Sequence, residues 1–261
     1  MTSLRLGPGP SPWDSPDKKL PTGELARYDV QSPTPQRYHI ASLEFFVDDT
    51  ETAVYRGSLK QPDNPELEKV VVKTDFFAET LRQGALEHEA DMYELHLSSL
   101  QGLSIPYCYG LFQHKGEGDR VSSFLVLEDC RDRIKDASSL TNSFKLKALD
   151  ALYGIHCAGY THGDLSLNNI TDKDGEPFFI DLETAEPHKC EMSERIMIWA
   201  DEDVNVKGFF VFRRAYLRRE NIDFLLSRLI HHNRNTEVFR PFVEQLVEKI
   251  EAEREYWRKA P

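Results

Sequence analysis

The sequence predicts an α+β chain in two parts: a small, mainly antiparallel sheet carrying one helix, then a reduced, mainly helical part. Three observations carry this expectation. Short runs of β-branched and alternating apolar residues recur between His39 and Glu128, one apolar-faced helical pattern interrupts them, and after Cys130 the spacing turns helical. A length of 261 residues is enough for one large domain or two lobes.

Residues 1–38 hold Pro8, Pro10, Pro12, Pro16, Pro21, Pro33 and Pro35 among small and polar residues. Such a segment buries too little surface to repay its ordering entropy, so a disordered tail is expected. Order is expected from His39. IASLEFFV and TAVYRGSL flank Asp48, Asp49, Thr50 and Glu51 and read as a hairpin. PDNPE at 62–66 is a turn, and LEKVVVKTD a third strand. From Phe76 to Leu100 the pattern is helical: Phe77, Leu81, Ala85 and Met92 share one side, with Leu86, Tyr93, Leu97 and Leu100 beside them. YCYGLFQH and VSSFLVLED, joined through KGEGDR, complete the sheet and put the first part at 39–129.

The second part, 130–261, opens with a helix over FKLKALDALYGIHCAGY that stops near Gly159. A strand pair turns at DKDG (172–175), and helices are expected near 192–200, 214–231 and 236–258. No internal repeat is present.

Composition narrows the function. A net charge of -12, from 44 acidic and 32 basic residues, lacks the basic footprint of general nucleic-acid or anionic-membrane binding, and neither partner is expected. Cys108, Cys130, Cys157 and Cys190 form no CxxC pair, which suits a reducing compartment. The N-terminus lacks an apolar signal region and no apolar run spans a bilayer, so an intracellular protein, cytoplasmic or nuclear, is expected. The oligomeric state is left open.

Polar residues at the ends of apolar stretches carry the chemistry. THGDLSLNNI (161–170) sets Asp164 and Asn169 five residues apart, and FFIDLE follows with Asp181. Phosphoryl transfer needs a group to orient the acceptor hydroxyl, hard oxygen ligands for magnesium, and a cation for the nucleotide phosphates. Asp164 suits the first need, and Asn169 and Asp181 suit the second. Farther upstream, Glu89 falls on the apolar side of its helix, where a charge needs a cationic partner. Lys73, after three valines, can be that partner, with Glu87 as the register alternative.

On these residues the chain resembles the protein-kinase-like superfamily over about residues 40–185, most closely short fungal kinase-like proteins. HGDLSLNN resembles the catalytic loop written HRDxxxxN, and FFIDLE the strand entering the DFG motif. The resemblance implies a bilobal fold with a small antiparallel-sheet N-lobe plus one helix and a reduced, mainly helical C-lobe. It implies ATP and Mg2+ as cofactors, with Lys73 on the ATP phosphates, Glu89 pairing that lysine, Asp164 catalytic, and Asn169 and Asp181 on the metal. It implies Leu127 as gatekeeper, with adenine bonded to the Glu128 carbonyl and the Cys130 N–H. Val54 and Val71 are adenine lining or ordinary core. His162 is implied as the histidine that holds the loop backbone.

Several positions depart from that pattern. VDDTETAVYRG replaces a glycine-rich phosphate loop, Gly163 replaces the HRD arginine, Ser166 a common lysine and Glu183 the DFG glycine, and no APE motif follows. HGD and DxE arrangements resemble choline and aminoglycoside kinases. The expected function is therefore a phosphotransferase moving the ATP γ-phosphoryl group to a hydroxyl acceptor. The acceptor is a protein serine or threonine, or a small-molecule alcohol or aminated metabolite. A non-catalytic pseudokinase scaffold is the alternative.

Overall fold

The structure, a computed structural model, describes residues 2–9, 20–21, 23–28, 36–48, 52–62, 64–76, 84–116, 121–136, 140–187, 240, 244 and 248. The chain divides into two compact units. Met1–Gly102 with Pro106–Asp129 form the first; Leu103–Ile105 with Cys130–Pro261 form the second.

In the first unit, strands β1 (Ser3–Leu6), β2 (Glu24–Arg27), β3 (Arg37–Asp48), β4 (Ala53–Lys60), β5 (Leu67–Thr74), β6 (Cys108–Lys115) and β7 (Val121–Glu128) form a closed barrel. Its order is β1-β2-β6-β7-β5-β4-β3, and the β1–β3 pair is parallel. Alternation along each strand sends Leu4, Leu25, Ile40, Tyr55, Val72 and Val126 into one fully buried core. The hairpin, the third strand and the last two strands lie where the alternating runs predict them.

This corrects the expected fold class. The described residues are mostly sheet, with a closed seven-strand barrel and two complete α-helices, and do not form a bilobal kinase-like fold with a helical C-lobe. The expected tail supplies the two strands that close the barrel. Leu4, Leu6 and Leu25 bury against the sheet interior, and β1 and β2 cover edges of β3 and β6 that would otherwise present unpaired N–H and C=O groups. Four-residue strands among prolines carry too little periodicity to stand out in sequence.

Helix α1 (Ala85–Asp91) is shorter than the helical pattern and passes into a π-helical turn, Met92–His96, then a 3₁₀ turn, Ser98–Leu100. The Leu97 N–H bonds the Met92 carbonyl at 2.8 Å, five residues back, and Met92, Tyr93 and Leu97 are all buried. Phe77 and Leu81 lie outside the described residues. Arg27 of β2 holds this turn: its guanidinium donates to Glu94 Oε2 at 2.6 Å and to the Tyr109 carbonyl at 2.9 Å. The plane lies against Gly110, where a Cβ would come within 2.7 Å of Arg27 Cζ.

In the second unit, α2 (Asn142–Cys157) starts at Thr141, whose hydroxyl accepts the Phe144 N–H at 3.1 Å. β8 (Tyr160–Thr161) pairs with β11 (Glu186–Pro187), and β9 (Ile170–Lys173) with β10 (Glu176–Phe179). Asp174 and Gly175 join β9 to β10 with φ of 57° and 83°, a two-residue turn suited to a right-twisted hairpin. The helices expected near 192–200 and 214–231 lie outside the described residues, as does 236–258 apart from Arg240, Glu244 and Glu248, which are helical. No helix among the described residues is long and apolar enough to cross a membrane.

Candidate functional site

The first unit holds one group of candidate residues, centred on a cation. Lys73, one residue from the end of β5, bonds Glu89 Oε2 at 2.8 Å. The Glu89 side chain is 1% exposed and that of Lys73 13%. Helix α1 packs on β6 and β7 through the face bearing Leu86, Glu89 and Ala90. A carboxylate on that face loses its water, and the Lys73 ammonium offsets that loss. Glu87, the register alternative, is occupied elsewhere: its Oε1 accepts from Ser123 Oγ at 2.9 Å and Gln113 Nε2 at 3.1 Å.

Strand register gathers the other first-unit residues. Val54 sits directly opposite Lys73, and Val71 opposite Leu127. All four occupy the face of the sheet opposite Tyr55, Val72 and Val126, which fill the barrel. Val54 and Leu127 are nonetheless buried, at 9% and 6% exposure, and Val71 is half-buried. Glu128 ends β7; its N–H donates to the Tyr107 carbonyl at 2.8 Å, and its carboxylate accepts the Tyr107 N–H at 3.1 Å. The turn residues Asp49, Thr50 and Glu51, expected to replace a glycine loop, lie outside the described residues.

The second unit, taken by itself, holds a group of oxygen-bearing candidates. Cys130 opens its main segment and is buried. Between β8 and β9 the chain makes a tight loop whose 3₁₀ turn, Leu167–Asn169, ends at a buried Asn169. Asn169 Nδ2 donates to the Asp164 carbonyl at 2.8 Å and to Asp164 Oδ2 at 3.1 Å. Both partners are acceptors, so only the amide nitrogen can face them, and the amide oxygen Oδ1 is turned away. Asp164 itself is exposed.

Two backbone ties bind this loop to the strand end that carries Asp181. The Ile180 N–H donates to the Asn169 carbonyl at 3.0 Å, and His162 Nε2 bonds the Ile180 carbonyl at 2.9 Å. Asp181 follows with φ of 66°, a left-handed conformation that aspartate tolerates better than most residues. His162 is 2% exposed and stands edge-on to Phe179 at 5.8 Å. Burial lowers its pKa, against the raising effects of the Ile180 bond and of the Asp181 and Asp164 charges. A neutral ring that donates to a carbonyl is a brace for the loop.

Gly163 acquires a reason that sequence reading misses. Its φ is 80°, and a Cβ there would lie 2.0 Å from the Thr184 carbonyl oxygen. Thr184 Oγ1 also bonds the His162 carbonyl at 3.3 Å. No side chain fits at 163, arginine included, because segment 182–185 runs against the loop. Only the positive φ could have been guessed from glycine itself; the contact joins residues 21 positions apart.

Asp164, Asn169 and Asp181 are thus joined through one loop and one strand end, and Lys73, Glu89, Val54, Val71 and Leu127 through one sheet face and its helix. Among the described residues no group of three or more His, Cys, Asp or Glu is gathered to hold a metal by side chains alone. The hard oxygens of Asp181 and Asn169 fit magnesium, which takes one or two protein oxygens and completes its shell with phosphate and water. No protein-family model matches the chain, and no curated protein matches its sequence.

Proposed function

We propose that this protein is an ATP- and Mg2+-dependent phosphotransferase that moves the γ-phosphoryl group to a hydroxyl acceptor. The observation that carries the reading is the Asn169 amide, whose nitrogen donates to the Asp164 backbone carbonyl and to Asp164 Oδ2, so that its own oxygen is turned away from them. A loop that spends both amide protons on one aspartate orients two groups at once: a carboxylate toward a hydroxyl proton and an amide oxygen toward a cation. Asp181 adds the carboxylate for that cation. In the first unit, the buried Glu89 fixes the position of the Lys73 ammonium, the group that would bind phosphate oxygens. When bound, magnesium would neutralise phosphate charge; the chain supplies the orientation.

Serine or threonine of a protein and the alcohol of a small molecule both fit this chemistry. The steric bar at Gly163 favours the small acceptor, because it removes the arginine that resembled protein kinases use to read a phosphorylated segment.

The test is calorimetric titration of the full chain with ATP, with and without Mg2+, followed by turnover across protein and small-molecule acceptors. Magnesium-dependent binding that Lys73→Ala and Asp181→Ala each remove, with turnover that Asp164→Asn removes, is the expected result. No binding at millimolar Mg-ATP overturns the proposal and leaves the scaffold reading.

A further inference from the structure

The outer face of the barrel carries a second charged feature, remote from Lys73. Ser3 and Arg5 of β1 lie in parallel register beside Arg37 and His39 of β3. Leu4, Leu6, Tyr38 and Ile40 turn inward, so these four side chains share the outer face. Lys60 of β4 is opposite His39, and Glu24 of β2 is opposite Arg5. One row across four strands therefore reads Glu24, Arg5, His39, Lys60, and the row beside it holds Ala26, Ser3 and Arg37.

Three permanent cations and one carboxylate meet here, in a chain whose net charge is -12. Among the described residues, Arg5, Arg37, His39 and Lys60 show no side-chain hydrogen bond or ion pair. Like charges on neighbouring strands of one face cost stability when nothing lies between them. The same face is concave: Ser3, Arg5, Glu24, Arg37, Tyr38 and His39 line a cavity of about 220 Å3. Ala26, beside Ser3, keeps that side of the row low. The cavity is smaller than sites for drug-sized ligands, which start near ~300 Å3, and its volume suits a small anion.

We propose that this cavity binds the phosphate group of a small phosphomonoester. Two guanidinium forks, a serine hydroxyl and an imidazole N–H supply donors in number for three phosphate oxygens, and Arg is the side chain whose geometry matches them. Lys60 adds charge from the neighbouring strand, and the Glu24 carboxylate opposes it. The site is separate from the one that holds Lys73. Val54 is opposite Lys73 and Lys60 lies six residues farther along β4, which is about 20 Å at the rise of a strand.

The experiment titrates the full chain with inorganic phosphate at physiological ionic strength, with O-phospho-L-serine and vesicles containing anionic phospholipid in parallel arms. Saturable binding of phosphate and O-phospho-L-serine is expected, weakened about tenfold by Arg5→Gln and by Arg37→Gln, as for loss of one charge-assisted contact. Glu24→Gln is expected to tighten it several-fold. All three positions are exposed or on the barrel exterior, and unchanged thermal unfolding without phosphate confirms that the variants fold. Three outcomes overturn the proposal: no saturable phosphate binding, binding unchanged in both arginine variants, or binding only to vesicles containing anionic phospholipid. Phosphate binding that Lys73→Ala or Asp181→Ala abolishes and the arginine variants spare also overturns it. Failure of Mg-ATP binding leaves this inference standing, because none of its residues serves the nucleotide.

Discussion

Separating the stability of the Lys73–Glu89 pair from its function tests the central contact directly. At 2.8 Å and an effective dielectric of about 20, the gross attraction is about 6 kcal/mol, most of it offset by the desolvation of Glu89. Lys73→Met takes the ammonium away from a carboxylate that is 1% exposed. The cost has a ceiling, because the group can take up a proton: protonating a carboxyl of ordinary pKa about 4.3 at pH 7 costs about 3.7 kcal/mol. The expected loss is therefore about 3–4 kcal/mol, and it narrows toward pH 5, where that proton is easier to bind. Glu89→Leu removes the carboxylate from an ammonium that is 13% exposed and still reaches water, and should cost about 2 kcal/mol. Lys73→Met with Glu89→Leu removes both charges and leaves an apolar contact. Its cost should fall at least about 2 kcal/mol short of the sum of the singles. Urea unfolding followed by circular dichroism measures all four chains. The double variant should regain stability and still show no stabilisation by Mg-ATP. Single and double losses that add to within about 0.5 kcal/mol would refute a buried, mutually dependent pair.

Three further perturbations probe the second unit. Gly163→Ala places a Cβ 2.0 Å from the Thr184 carbonyl at a φ of 80°, and should destabilise the chain by about 3 kcal/mol or more in thermal unfolding. A loss below about 1 kcal/mol would show that segment 182–185 yields easily. His162 has a folded-state pKa lowered by burial, so the unfolded chain takes up its proton first as pH falls. The stability from that difference is present above about pH 6.5 and declines below it, by up to about 1.4 kcal/mol per pH unit; the decline should be shallower in His162→Gln. Asn169→Ala, which leaves Asp164 without its amide donor, should raise the Mg2+ concentration needed for ATP-dependent stabilisation at least about tenfold. Unchanged magnesium dependence would remove Asn169 from the metal site.

Residues whose roles depend on near neighbours were legible before any fold was known. Glu89 stood out because a charge on the apolar side of α1 needs a partner, and Lys73 is that partner. The DG turn at 174–175 followed from the two backbone conformations it requires. The π-helical turn at Met92–His96 was not legible: it keeps Met92, Tyr93 and Leu97 buried with one residue more than an α-turn, which blurs the period a helix pattern depends on. Nor was the helical second lobe a safe extension from the first part, since the described residues there pair into short sheets around a single complete helix.

From its amino acids alone, this chain reveals which polar groups stand at the ends of which apolar runs, since periodicity and charge act over a few residues. Barrel closure by β1 and β2, the glycine at 163 and the buried ring of His162 were decided only by tertiary contacts: Leu4 beside Tyr38, Gly163 against Thr184, His162 against Ile180. Those pairs lie 18 or more residues apart, and close packing between distant segments leaves no periodic trace in either one.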